Sequence, residues 1–155
     1  MQTKYDALMG QAIRYQGIAP ERLQLIVSLA SAVGRVTRQC ATTLADFQLP
    51  EGQFIALLLL RHYGSLKPSD IAEKAGLTRS GITSVLDSLE ARDLIQRHHQ
   101  RDDRRSWLID ITETGSLLLD ELLPHHLTGL LQLTAKFDDE DVQSLQRLLS
   151  KLLSD

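Results

Sequence analysis

The 155-residue sequence is short of several things, and each shortage narrows what the protein can be. It has one cysteine, Cys40, which excludes an intramolecular disulfide and leaves no thiolate cluster for a structural zinc. It has no long apolar stretch. The longest run, Phe54 to Leu60, is seven residues, against about 20 for a membrane-spanning helix. Met1 to Gly10 shows no basic region followed by an apolar core, so no signal peptide is expected. Together with the lone thiol, this sets the expected location as the reducing cytoplasm. Aromatic residues make up only 5% and prolines number 4, which argues against a sandwich or barrel. An excess of positive charge is also missing: 17 basic residues face 20 acidic ones, for a net charge of −3. Taken as a total, that balance would set nucleic acid aside as a partner.

What the sequence has in quantity is leucine, 30 residues of it, with 43% hydrophobic and 24% charged residues overall. Those proportions suit a globular chain of one domain and exclude a disordered one. Leucine favours helix. The charge is unevenly spread: residues 1–60 sum to +1, residues 61–105 to +2 and residues 106–155 to −6. Tyr5 to Gln16 reads as a short leading helix, stopped by Gly17. Pro20 opens a long helix through Asp46, with Leu23, Ile26, Val27, Ala30, Val33 and Thr37 forming one buried stripe. Pro50 opens another helix, ending before Gly64. From Thr112 a leucine-rich helix runs past Pro124 to Leu131, where a bend at the proline is possible. The acidic run Asp138 to Asp141 then favours the start of a last helix, whose apolar face is Val142, Leu145, Leu148, Leu149 and Leu152. These terminal helices carry more apolar surface than a small central unit can cover. They predict either a layer that pairs with a second copy or the completion of a monomeric bundle.

Residues 67–90 hold the most specific local pattern. Ser69 is read as the N-cap of a short helix with Ile71, Ala72 and Ala75 turned inward. Gly76 stands where a helix ends in a left-handed residue, Leu77 plugs the turn, and Thr78 or Arg79 begins a second helix. This is a helix-turn-helix. In the second helix Ile82, Val85, Leu86 and Leu89 share one arc, which must be buried. The other side shows Ser80, Ser84 and Asp87, with Thr83 at its margin and Arg79 at its start. Small hydroxyl residues near a helix N-terminus suit close approach to a groove, where they can bond bases or phosphates. Asp87 would repel DNA, so it is expected to pair with a neighbouring basic residue. Two strand-like segments follow, Leu94 to His99 and Ser106 to Thr112, separated by a charged tip running from Gln100 to Arg105. A helix-turn-helix followed directly by a basic hairpin is a winged helix. Arg101 and Arg104 at the tip are candidates to reach the backbone or the minor groove.

Over these residues the sequence resembles the MarR family (multiple antibiotic resistance regulators), dimeric winged-helix transcription factors. The likeness rests on Leu66 to Ala72, Gly76 to Thr83, Leu86 to Glu90, the run Asp103-Arg104-Arg105-Ser106, and Leu108 to Gly115 with its Ile-Thr-x-x-Gly ending. Many members carry Asp-Pro at the start of the wing tip, where this chain has Gln100-Arg101. The resemblance implies that Arg79, Ser80, Thr83 and Ser84 read the major groove and that Ser69 contacts a phosphate. It implies that Asp103 and Arg105 organise the wing, Asp103 by orienting an arginine that enters the minor groove. The implied fold is mainly α: a winged helix-turn-helix with a small β-hairpin wing over residues 50–112. Helices in 1–49 and 113–155 flank it and form a dimerisation layer.

The implied function is a sequence-specific, homodimeric transcriptional regulator of double-stranded DNA, a repressor of a pseudo-palindromic operator relieved by a small aromatic or anionic ligand. Arg14, Arg35, Arg38, His62 and Tyr63 are the groups available to an anion, or are plain surface and capping residues. The alternatives are a winged-helix module that binds protein, and a redox-sensing regulator acting through Cys40, against which stands a buried, unreactive thiol. The pairs His98-His99 and His125-His126 lack the spacing of metal ligands, and no nucleophile elbow, phosphate loop or paired carboxylates occur. No cofactor, metal or enzymatic activity is expected.

Overall fold

The computed structural model describes residues 19–100 and 103–154 together with Tyr5, Ala7, Gly10, Gln11 and Tyr15; of residues 100 and 103–106 it describes the backbone path alone. The expected leading helix, Tyr5 to Gln16, lies largely outside the described residues. Helix α1 is Pro20–Asp46, with Ala19 as N-cap and Pro20 in the first turn. It ends at an elbow where Gln48 takes φ +50 and Leu49 N–H bonds back to Leu44 O at 2.9 Å. Helix α2, Glu51–Tyr63, begins after Pro50 and stops at Gly64, whose φ of +75 no other residue adopts cheaply.

Helix α3, Pro68–Ala75, starts two residues earlier than the N-cap reading of Ser69 requires. Lys67 is the cap residue and Pro68 occupies the first turn, which corrects that reading. The reason is the proline: its ring fixes a helical φ, and it lacks the N–H that a cap would have to satisfy. Gly76 closes α3 in the left-handed conformation (φ +66, ψ +29), and Leu77 N–H bonds to Ala72 O. Helix α4, Arg79–Ala91, is capped by Thr78, whose Oγ1 accepts from Gly81 N–H at 3.1 Å.

Strands β1 (Ile95–Gln100) and β2 (Asp103–Ile111) pair antiparallel, with Ile95 opposite Ile111, Arg97 opposite Ile109 and His99 opposite Trp107. After an irregularity at His99/Gln100, Gln100 pairs with Asp103. The strands thus extend into the charged segment, and Gln100 and Asp103 to Arg105 belong to them where the sequence suggests a loop. Backbone pairing continues into the charged segment because a strand needs no apolar residues once its ladder is in register. Leu66 adds a bridge to Ile109, so the loop before α3 is stitched to β2.

Helix α5, Glu113–Leu131, runs on through Pro124 and passes by a 3₁₀ turn (Gln132–Thr134) toward α6, Asp139–Leu153. Asp138 and Asp141 open α6 with a reciprocal capping box.

The core lies in the winged-helix lobe and is built from Leu49, Phe54, Leu57, Leu60, Ile71, Ile82, Leu86, Leu89, Leu94, Ile95 and Ile109, with Leu119 and Leu122 of α5 and Leu44 of α1 against it. The terminal helices differ. Of the stripe expected to be buried in α1, only Val27 is; Leu23 and Ala30 are half-covered, and Ile26, Val33 and Thr37 are exposed. Gly34, Thr43 and Leu44 are buried instead, because α1 packs on α5 through a face that lets Gly129 approach Gln39 and Thr43. Helix α6 buries no residue, and Leu148, Leu152 and Leu153 are more than half exposed. Among the described residues no helix is long and apolar enough to cross a membrane.

Candidate nucleic-acid interface

The interface is assembled around α4. Burial of Ile82, Leu86 and Leu89, with Val85 half-covered, turns the opposite face outward. Arg79, Ser80, Thr83, Ser84 and Asp87 are all exposed on it. Close packing behind the helix is possible because Gly52 of α2 faces Val85 and Leu77 without a side chain. The hydroxyls are held locally: Thr83 Oγ1 donates to Arg79 O at 3.0 Å, and Ser80 Oγ lies 3.2 Å from Thr78 Oγ1. A hydroxyl with one such bond still has capacity to meet a base edge or a phosphate. Ser69, also exposed, bonds to Asp70 at 3.1 Å from the first turn of α3.

Asp87 is neutralised as its position requires. Arg97 of β1 reaches it with Nη2 at 2.5 Å from Oδ1, and the Glu90 carboxylate lies 3.3 Å from Arg97 Nε without hydrogen-bond alignment. The half-buried arginine thus ties the wing to α4. No periodic pattern connects residues 87 and 97; only the turn at Arg92 to Leu94, with Asp93 at φ +56, folds β1 back along the helix.

The wing is anchored at its base by Asp110, which bonds Ser65 Oγ through one oxygen and lies 2.9 Å from His98 Nδ1 through the other. Further out His99 stacks on Trp107 with ring centroids 3.9 Å apart. Of the wing residues expected to act, Arg101 lies outside the described residues, as do the side chains of Asp103, Arg104 and Arg105; their backbone places Asp103, Arg104 and Arg105 in β2. The four histidines in pairs each have a local partner: His98 on Asp110, His99 on Trp107, His125 on Phe47 and His126 on Phe54. The sequence gives no sign of these ring contacts; of the two starts it offers for α4, Arg79 is the first helical residue and Thr78 is its cap.

A cavity of about 410 Å³ opens at the elbow between α1 and α2, lined by residues including Cys40, Leu44, Gln48, Leu49 and Glu51. None of Arg35, Arg38, His62 or Tyr63 lines it, and Arg14 lies outside the described residues. Among the described residues its wall carries a carboxylate and no cation, a lining unsuited to an anion.

Two helices joined at a left-handed glycine, the second with an exposed hydroxyl face, and a hairpin tied to that helix by an ion pair: these define a winged helix-turn-helix protein. A MarR family model matches residues 49–107. Among relatives, the HTH-type transcriptional repressor YetL of Bacillus subtilis is 27% identical over 96% of this chain and 90% of its own length. The organic hydroperoxide resistance transcriptional regulator of the same organism is 31% identical over 84% of this chain and 87% of its own. Among solved structures, the transcriptional repressor CouR bound to a 23-mer DNA duplex superimposes with a TM-score of 0.68 at 28% identity, covering 94% of this chain and 97% of that one. The chain belongs to the MarR family of winged helix-turn-helix transcriptional regulators.

Proposed function

We propose that the protein is a homodimeric repressor that binds a pseudo-palindromic operator in double-stranded DNA, with one α4 in each of two successive major grooves. The observation that carries this reading is the face of α4: a helix that commits Ile82, Leu86 and Leu89 to the core presents Arg79, Ser80, Thr83 and Ser84 outward beside a wing. CouR, with the same fold, is seen on a DNA duplex. Arg101, Arg104 and Arg105 of the wing supply phosphate or minor-groove contacts, Asp103 orders them, and Ser69 meets a phosphate. Residues 50–112 are the reading lobe. Residues 1–49 and 113–155 form the dimer layer, supported by the exposed leucines of α6 and by Leu25, Ile26 and Leu29 of α1, which share a groove with them. The cytoplasm, where the DNA is, is the matching location.

The elbow cavity is the site proposed for a small effector, and its lining favours a neutral, largely apolar ligand over an anionic one. Cys40 is half-buried on that wall, which supports the packed, unreactive thiol over a redox role.

The test is titration of the protein onto duplexes selected from random DNA and onto scrambled versions over a salt series. Binding should be tighter to the selected duplex and should weaken steeply as salt rises, since phosphate neutralisation drives it. Absence of salt-sensitive binding to either duplex would falsify the proposal.

A further inference from the structure

Gln53 is an anomaly in α2. Only 8% exposed, it sits within a buried set otherwise made of Phe54, Ala56, Leu57 and Leu60. A buried amide is costly unless both of its ends are bonded. Here both are. Nε2 donates to Ser88 Oγ of α4 at 2.9 Å, and Oε1 accepts from Arg92 Nη1 at 3.2 Å. The orientation of the amide follows from its partners, because a guanidinium only donates and must face the oxygen. Arg92 is the C-cap residue of α4, and its Nη1 also donates to Gln48 O at 2.8 Å. Gln48 is the left-handed residue of the elbow between α1 and α2. Ser88 and Arg92 are one helical turn apart, so a single side chain grips the C-terminal half of α4 at two points.

We infer that Gln53 and Arg92 are positioning residues that fix the rotation and axial setting of α4 against α2 and the elbow, and so set how sharply the protein distinguishes its operator from other DNA. The reason lies in directionality. Ile82, Leu86 and Leu89 hold α4 by burial, which is non-directional, and a small slide or roll of the helix would preserve most of it. Two hydrogen bonds that weaken steeply with angle permit one setting only. Base-edge bonds depend on that setting, whereas attraction to phosphates tolerates a shift. Gln48 also lines the elbow cavity, so the same groups join the cavity wall to the reading helix through a continuous run of hydrogen bonds.

The specificity arm of this inference rests on the DNA reading proposed above; its structural arm does not. The experiment uses the full chain with Gln53→Met and, as a milder change that removes one anchor, Ser88→Ala. Each is titrated onto the selected duplex and its scrambled version, and amide exchange is followed over residues 79–94. For Gln53→Met the affinity for the selected duplex should fall about tenfold, on the scale of one to two lost hydrogen bonds. Scrambled-duplex affinity and the salt slope should stay as in the wild type. Exchange should quicken over residues 86–94 but not at Leu57 and Leu60. Ser88→Ala should move in the same direction by less, and it decides the matter if Gln53→Met does not fold. Gln53→Glu, which keeps an acceptor for Arg92, should recover part of the protection. Equal losses on both duplexes, or unchanged exchange over 86–94, would overturn the inference. If the wild type binds no duplex, the DNA reading has failed separately and the exchange result alone judges the positioning role.

Discussion

At Gly115 the chain leaves no room for a side chain: a Cβ there would run into Leu94 O and come within 2.9 Å of Ile111 Cγ1. Three residues earlier Thr112 does three things at once. Its N–H bonds to Leu94 O, its hydroxyl donates to Asp93 O at 2.6 Å, and its Oγ1 accepts from Gly115 N–H to cap α5. The Thr-x-x-Gly ending of the wing is thus a junction that pins the second strand, the turn between α4 and β1, and the start of α5 together. Gly115→Ala should destabilise the fold by roughly 1–3 kcal/mol, as overpacking against backbone does. Thermal or urea denaturation would measure it, and an unchanged midpoint would contradict the packing argument. The residues of the reading face should separate by kind. Ser80→Ala and Thr83→Ala should alter base preference in competition with selected duplex variants. Arg104→Ala should weaken binding to all sequences and reduce the salt slope by about one. If Arg104→Ala instead changed preference and left the slope alone, its assignment to phosphate would be wrong.

The elements show which features a single sequence reveals and which it hides. Gly76 is legible because its job is local, a left-handed residue at the end of one turn. The apolar arc of α4 is legible because Ile82, Leu86 and Leu89 repeat at the helical period. The hydroxyl of Ser69 looks like a cap, but Pro68 fixes the start of α3 ahead of it and Lys67 takes the cap position. Polar and charged residues at 100 and 103–105 look like loop, although the pairing of Gln100 with Asp103 depends on backbone alone. That Asp87 pairs with a basic residue is legible, but its choice of Arg97 ten residues on, and the pairing of Gln53 with Ser88 across 35, are made by tertiary folding. Periodicity shows which side of a helix is apolar, not what covers it, and the exposed Val33 and Ile26 of α1 are the example.

At the scale of the molecule, the net charge of −3 misleads because it averages a +2 segment over residues 61–105 with a −6 segment after it. The reading lobe and the terminal helices answer to different surroundings, and their charges follow that division. The leucines divide in the same way. Leu57, Leu60, Leu86 and Leu89 vanish into the lobe's core, while Leu145, Leu148, Leu152 and Leu153 of α6 remain on the surface. That bare helix has a thermodynamic consequence. If a second copy is what covers it, part of the free energy holding α6 in place comes from a bimolecular step, and the stability of each chain depends on how many chains surround it. The melting midpoint should rise with each tenfold increase in protein concentration, and amides of residues 139–153 should exchange faster on dilution while those of the lobe do not. A midpoint independent of concentration would mean that α6 holds by itself. By mass action, a regulator built this way would lose its scaffold before its reading head whenever its own level falls.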